Sequence, residues 1–117
     1  MKFLILLTQD GAAWESEPQS EKDRTFNEHM KVYGELEAQK KLLDSRRLRP
    51  SADAKTVRLK GGKKIVLDGP FCETKEQIGG YYLIECASMD EAIDWAKKMP
   101  HFGDLRYSGI EVRPIWE

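Results

Sequence analysis

The chain has 117 residues, 40% apolar and 33% charged, and its 19 basic residues stand against 20 acidic ones for a net charge of −1. That length accommodates one domain with one core, so a single unit over residues 1–117 is expected. The even charge balance argues against nucleic acid as a partner, since such binders carry a basic face.

The first element is a compact apolar strand, Phe3 to Thr8, closed by the turn-forming pair Asp10-Gly11. Its apolar run, Phe3 to Leu7, is too short for a signal-peptide core or a membrane span. A cytoplasmic protein with no membrane partner is therefore expected. The following segment, "AAWESEPQSEKD", is polar apart from Trp14 and reads as a loop. Ser20, or Thr25 with Glu28, would cap the helix that follows.

From about Glu21 to Leu43 the apolar period becomes helical. Phe26, Met30, Tyr33, Leu36 and Leu43 recur at spacings of three, four and seven, and His29 falls within the same stripe. Gly34, inside this helix, suggests a close approach by another element. The basic run "DSRRLRP" after it reads as a solvated patch at the helix C-terminus, where cations are favoured.

"KTVRLKGGKKIVLDG" is a hairpin signal: alternating Val57 and Leu59, a turn at Gly61-Gly62, then Ile65 to Leu67. "YYLIECA" is a further strand, in which Tyr81 and Tyr82 must point to opposite faces. Ser88 with Glu91 caps a second helix with Met89, Ile93, Ala96 and Met99 inward, and Pro100 stops it. "SGIEVRPIWE" gives a last strand, and Pro114 implies that it lies at an edge or leaves the sheet there.

The expected fold class is α+β: a ferredoxin-like βαββαβ arrangement with an inserted β-hairpin. Helices on one side leave the other face of the sheet open. Phe3, Ile5, Tyr82 and Ile84, or their alternates, would then be exposed apolar area, and a homodimer closing two sheets into a barrel is the simple remedy.

The stretch "LDGPFCETKEQIGGYYLIE" holds the most distinctive residues. Asp68-Gly69-Pro70 is a chain reversal in which the aspartate accepts backbone N–H groups. Phe71 needs an apolar anchorage, Glu73 to Gln77 form a polar passage, and Gly79-Gly80 allow a tight bend or leave space beside Tyr81. As a turn alone this is a rigid connector; as a loop its carboxylates and amides would line a pocket.

This stretch closely resembles the signature of the YCII-related, or DGPF-domain, family, with Asp68, Gly69, Pro70, Phe71, Glu73, Thr74, Lys75, Glu76, Gly79 and Gly80 all in the pattern. The likeness runs from the first strand through "MDEAIDWAKKMP" to "IEVRPI". It implies a dimeric α/β-barrel fold. It also implies a function that is incompletely known in the family: relatives include a chloride-eliminating enzyme and proteins proposed as enzymes from a His–Asp pair in a dimer cleft. Others accompany sigma factors, which implies a regulatory setting.

The expected catalytic pair is His29 with Asp68, although Asp44, fifteen residues after His29, competes as its partner. A buried imidazole near a carboxylate can abstract a proton because its pKa lies near working pH. A single histidine on an apolar helical face is, however, more often a satisfied core residue. Phe71, Glu73, Lys75, Glu76, Tyr81 and Tyr82 are the candidate ligand-binding residues. Cys72 has no neighbour in sequence that lowers its pKa, so a nucleophilic role is not expected. His101, after Pro100, should be exposed.

Two cysteines without secretion features should stay reduced. With two histidines standing apart they build no zinc site, so no metal and no cofactor are expected. The expectation is a small dimeric protein that binds a small molecule between sheet and first helix and performs acid–base chemistry there. The alternative is a non-catalytic regulatory or protein-interaction module of sigma-factor signalling.

Overall fold

The computed structural model describes residues 1–70, 76–100 and 108–117. Strand β1 (Lys2–Asp10) leads into a short helix α1 (Gly11–Glu15) and the long helix α2 (Gln19–Ala38). Strand β2 (Leu42–Arg47), a 3-10 turn at Ser51–Asp53 and the hairpin β3 (Lys55–Lys60) and β4 (Lys63–Asp68) follow. Strand β5 (Glu76–Glu85), helix α3 (Met89–Lys97) and strand β6 (Gly109–Pro114) complete the order. The main sheet has the strand order β2-β5-β1-β6, all antiparallel, and β3-β4 form a separate two-stranded sheet. This is the expected α+β, ferredoxin-like arrangement with an inserted hairpin.

The main departure from the sequence reading lies after α2. The helical period suggests a helix to Leu43, but the helix stops at Ala38 and Leu42–Arg47 is an edge strand paired with β5. A backbone reversal ends it. Lys40 adopts φ 59°, its N–H bonds Glu37 O at 3.0 Å, and Lys41 N–H bonds Leu36 O at 2.9 Å. This is the 6→1 and 5→2 closure of a Schellman motif, with lysine in the left-handed position that glycine usually takes. The arginines of "DSRRLRP" therefore lie along a strand and the loop after it, not at a helix end.

Two smaller differences concern the entry to α2. Asp10 is an N-cap whose side chain accepts from Ala13 N–H at 3.2 Å, so a short helix follows β1 directly. Helix α2 begins at Gln19 behind Pro18, and the Thr25 hydroxyl instead donates back to Glu21 O at 2.9 Å. By contrast, Ser88 caps α3 as expected, accepting from Glu91 N–H at 3.2 Å.

The core lies between one sheet face and helices α2 and α3. Phe3, Ile5, Tyr82 and Ile84 meet Val32 and Leu36 of α2 and Ala92, Trp95 and Ala96 of α3. These four strand residues are thus the covered set. Their alternates, Leu4, Leu6, Tyr81 and Leu83, lie half-buried on the opposite face. Helix α2 is rotated from its expected stripe: Thr25, His29, Val32 and Leu36 are buried, while Phe26 and Met30 remain 52% and 45% exposed. Helix α3 likewise buries Ala92 and Trp95 and leaves Ile93 outward. A helix buries the stripe that its neighbours can fill, so the position of the sheet decided between adjacent stripes.

The double glycine is a sheet feature. Leu7 pairs with Gly80 and Thr8 with Ile78, so Gly79 is the extra residue of a β-bulge in β5. A Cβ on Gly80 would come within 3.0 Å of the Arg46 carbonyl oxygen in the neighbouring strand. Close backbone approach therefore requires glycine there.

Candidate functional site

The rotation of α2 opens a cavity of about 580 Å³ between that helix, Trp14 of α1 and strands β2 and β5. Phe26, Met30 and Tyr33 descend one side of α2 at spacings of four and three, forming an apolar wall with Trp14 and Leu7. Phe26 and Met30 are exposed because they face the cavity and not the core, whereas Tyr33 is half-buried and also packs against the core. Gly79 and Gly80 form part of the opposite wall, where no side chain intrudes.

His29 and Tyr82 lie at the bottom. Tyr82 points to the helix side of the sheet, and its hydroxyl lies 3.0 Å from His29 Nδ1, with the two rings stacked 5.9 Å apart at 26°. The same hydroxyl is 3.4 Å from the His29 carbonyl oxygen. Burial holds the His29 pKa down at about 4, so the ring is neutral at neutral pH. Burial, followed by the field of Tyr33, pushes Tyr82 up to about 12 and keeps it protonated. Two neutral, hydrogen-bonding groups thus occupy an otherwise apolar recess.

Charge gathers at the mouth. The Lys22 ammonium lies 5.8 Å and the Arg47 guanidinium 6.0 Å from the Trp14 ring. Lys22 also donates to the Glu15 carbonyl at 3.2 Å. Arg47 shares the register of Gly80, which places it on the helix side of the sheet. Asp23, also at the mouth, accepts from Gln19 Nε2 at 2.9 Å. With Lys22 and Arg47 against Asp23, the mouth is net cationic.

The sequence-predicted residues separate in space. His29, Tyr81 and Tyr82 border the cavity. Asp68 does not; it ends β4, exposed, with its carboxylate paired to Lys55 across the base of the hairpin. The turn that it was expected to cap is held instead by Gly69 N–H donating to Ala54 O at 2.8 Å. Asp44 accepts from the Tyr81 hydroxyl at 2.7 Å and pairs with Arg46 at 3.2 Å. The Tyr81 bond holds the Asp44 carboxyl below its ordinary range and raises the Tyr81 phenol. Their register with Leu83 and Leu6 places this cluster on the open face of the sheet. Glu76 opens β5, exposed, opposite Asp10. Phe71, Glu73 and Lys75, with Cys72 and His101, fall outside the described residues.

Cys86 is a free, buried thiol whose pKa burial raises. Among the described residues, no three histidine, cysteine or acidic side chains gather as a metal would require. No helix among them is long and apolar enough to cross a membrane.

Sequence reasoning missed Trp14, Lys22 and Arg47. A lone tryptophan in a polar segment was the available signal for the first. Lys22 stands four residues before Phe26 on α2, which was the signal for it, whereas Arg47 reaches the mouth only because Leu42–Arg47 is a strand.

The sequence profile of one protein family, described as the YCII-related domain, matches residues 1–117. An uncharacterized protein of Rhizobium meliloti is 37% identical over 115 residues, covering 98% of this chain and 92% of that relative.

Proposed function

The chain belongs to the YCII-related domain family, and from that premise we propose that it binds a small organic anion with an apolar or aromatic body in the cavity between α2 and the sheet. The observation that carries this reading is the cavity itself. Its volume of about 580 Å³ falls within the roughly 300–1,000 Å³ typical of ligand sites, and it combines apolar walls with a few convergent polar groups. Trp14, Phe26 and Tyr33 offer flat apolar contact. Lys22 and Arg47 attract a carboxylate, and His29 with Tyr82 supplies hydrogen bonds at the bottom.

Acid–base chemistry follows conditionally from the same geometry. At a pKa of about 4, His29 is a poor proton acceptor near neutrality. An anion placed beside it favours the imidazolium and raises that pKa. The ligand then recruits the proton that His29 would pass on. A regulatory module that senses its ligand without transforming it would use the same cavity, and turnover of bound ligand separates the two.

The assembly proposed is a homodimer through the open sheet face. Leu4, Leu6 and Leu83 form its centre, and ion pairs Asp44–Arg46 and Glu111–Arg113 lie on the edge strands. An apolar centre with a polar rim is the pattern of a protein interface. Light scattering of the wild type and of Leu83→Arg tests it, with loss of the dimer in the variant expected.

Calorimetric titration with benzoate and butanoate, in two buffers of different ionisation enthalpy, tests the binding reading. Saturable binding with proton uptake between pH 5 and 6.5, weakened at least tenfold in Arg47→Ala and His29→Leu, is the expected result. Affinities indifferent to both substitutions would remove the cavity as the site.

A further inference from the structure

The two ends of the inserted hairpin are held to each other at its base. There the Thr56 hydroxyl donates to Gly69 O at 2.7 Å and Gly69 N–H to Ala54 O at 2.8 Å. Beyond that point β3 and β4 pair with each other and, among the described residues, with no other strand. Val57 faces Val66 across the ribbon, and Val57, Leu59 and Val66 are 61%, 73% and 67% exposed. An isolated two-stranded ribbon is marginal in water, and this one displays aliphatic side chains that a monomer leaves wet.

Its charge is as uneven as its burial. Residues 55–68 hold five cations, Lys55, Arg58, Lys60, Lys63 and Lys64, against the single acid Asp68. The arm is therefore +4 while the whole chain is −1, which leaves −5 on the rest. Exposed acids of that remainder include Glu37 on α2 and Asp90 and Asp94 on α3.

We propose that this arm docks on the acidic body of a second copy of the chain. Each copy carries both halves of the attraction, which is what a two-fold assembly requires. Opposite charge on arm and body steers the encounter, and contact removes Val57, Leu59 and Val66 from water. A nucleic acid would neutralise the lysines but leave those aliphatic side chains wet, so the second copy is the better occupant. Neither the cavity nor its ligand takes part in this docking.

Sedimentation equilibrium of the full chain tests it, at about 50 and 500 mM NaCl. The variants are the triple substitution Lys60→Glu, Lys63→Glu, Lys64→Glu and the double substitution Val57→Ser, Leu59→Ser. Every substituted side chain is exposed, so circular dichroism should be unchanged. Self-association weakened at least tenfold by salt and by each variant at low salt is the expected result. Three outcomes overturn the proposal: a wild type monomeric throughout; association untouched by both arm variants, even where Leu6→Glu on the open sheet face abolishes it; or arm-dependent binding of a fluorescein-labelled DNA duplex with arm-independent self-association.

Discussion

His29 Nδ1 lies 3.0 Å from the Tyr82 hydroxyl, joining the buried face of α2 to the central strand β5 across the bottom of the cavity. Neither group carries charge at neutral pH, because burial lowers the histidine to about 4 and raises the tyrosine to about 12. The contact is therefore a neutral hydrogen bond between two elements, not an ion pair.

Tyr82→Phe keeps the ring and removes this bond. It should cost about 1 kcal/mol, the usual net worth of a buried hydrogen bond. Urea unfolding at pH 7 measures it. Equal midpoints for variant and wild type would show that the contact contributes nothing.

The depressed His29 pKa fixes the sign of a pH effect. The unfolded chain takes up its proton near pH 6.5, the folded chain only near pH 4. The unfolded state thus binds more protons between these values. Its contribution to stability is complete above pH 6.5 and is lost as pH falls toward 4, by roughly 2–3 kcal/mol. His29→Gln should flatten this part of the profile, read as urea midpoints between pH 7 and 4.

Gly79 and Gly80 should differ in their response to alanine. A Cβ on Gly80 meets the Arg46 carbonyl oxygen at 3.0 Å, and backbone in a paired strand yields little. Gly80→Ala should cost about 1–3 kcal/mol through overpacking. A Cβ on Gly79 meets the Gln9 side chain at 2.7 Å, which can swing aside, so Gly79→Ala should cost less. Thermal unfolding of both variants gives the order.

Gly34 lies in the body of α2, and a methyl group added there would meet no atom within 4 Å among the described residues. The close approach that its place in the helix suggested is not made. Gly34→Ala should stabilise the protein by roughly 0.5–1 kcal/mol, because alanine loses less backbone entropy. A rise in melting temperature is the readout.

Asp68, the sequence-predicted partner of His29, sits exposed beside Lys55 on the hairpin. Exposed ion pairs contribute little, so Asp68→Ala should leave the unfolding midpoint unchanged within error. The His29 titration, followed by NMR, should be unchanged as well. A shifted His29 pKa would restore Asp68 to the site.

Local pattern determined much of this protein. The strand of Phe3 to Thr8, the hairpin around Gly61-Gly62, the Ser88 cap and the alternation of Tyr81 and Tyr82 follow from turn chemistry and side-chain period, which neighbouring residues alone set. Three features were decided by tertiary structure. Leu42–Arg47 became a strand because β5 offered an edge and Lys40 closed the helix against its own propensity. Thr25 and Val32 joined His29 and Leu36 in the buried set in place of Phe26 and Met30, because the sheet and α3 fixed which side of α2 the core could fill. Trp14, Lys22 and Arg47 came together at the cavity mouth from three separate elements. Sequence carries the period of a helix or strand, but the phase of that period and the meeting of distant side chains depend on what packs against them.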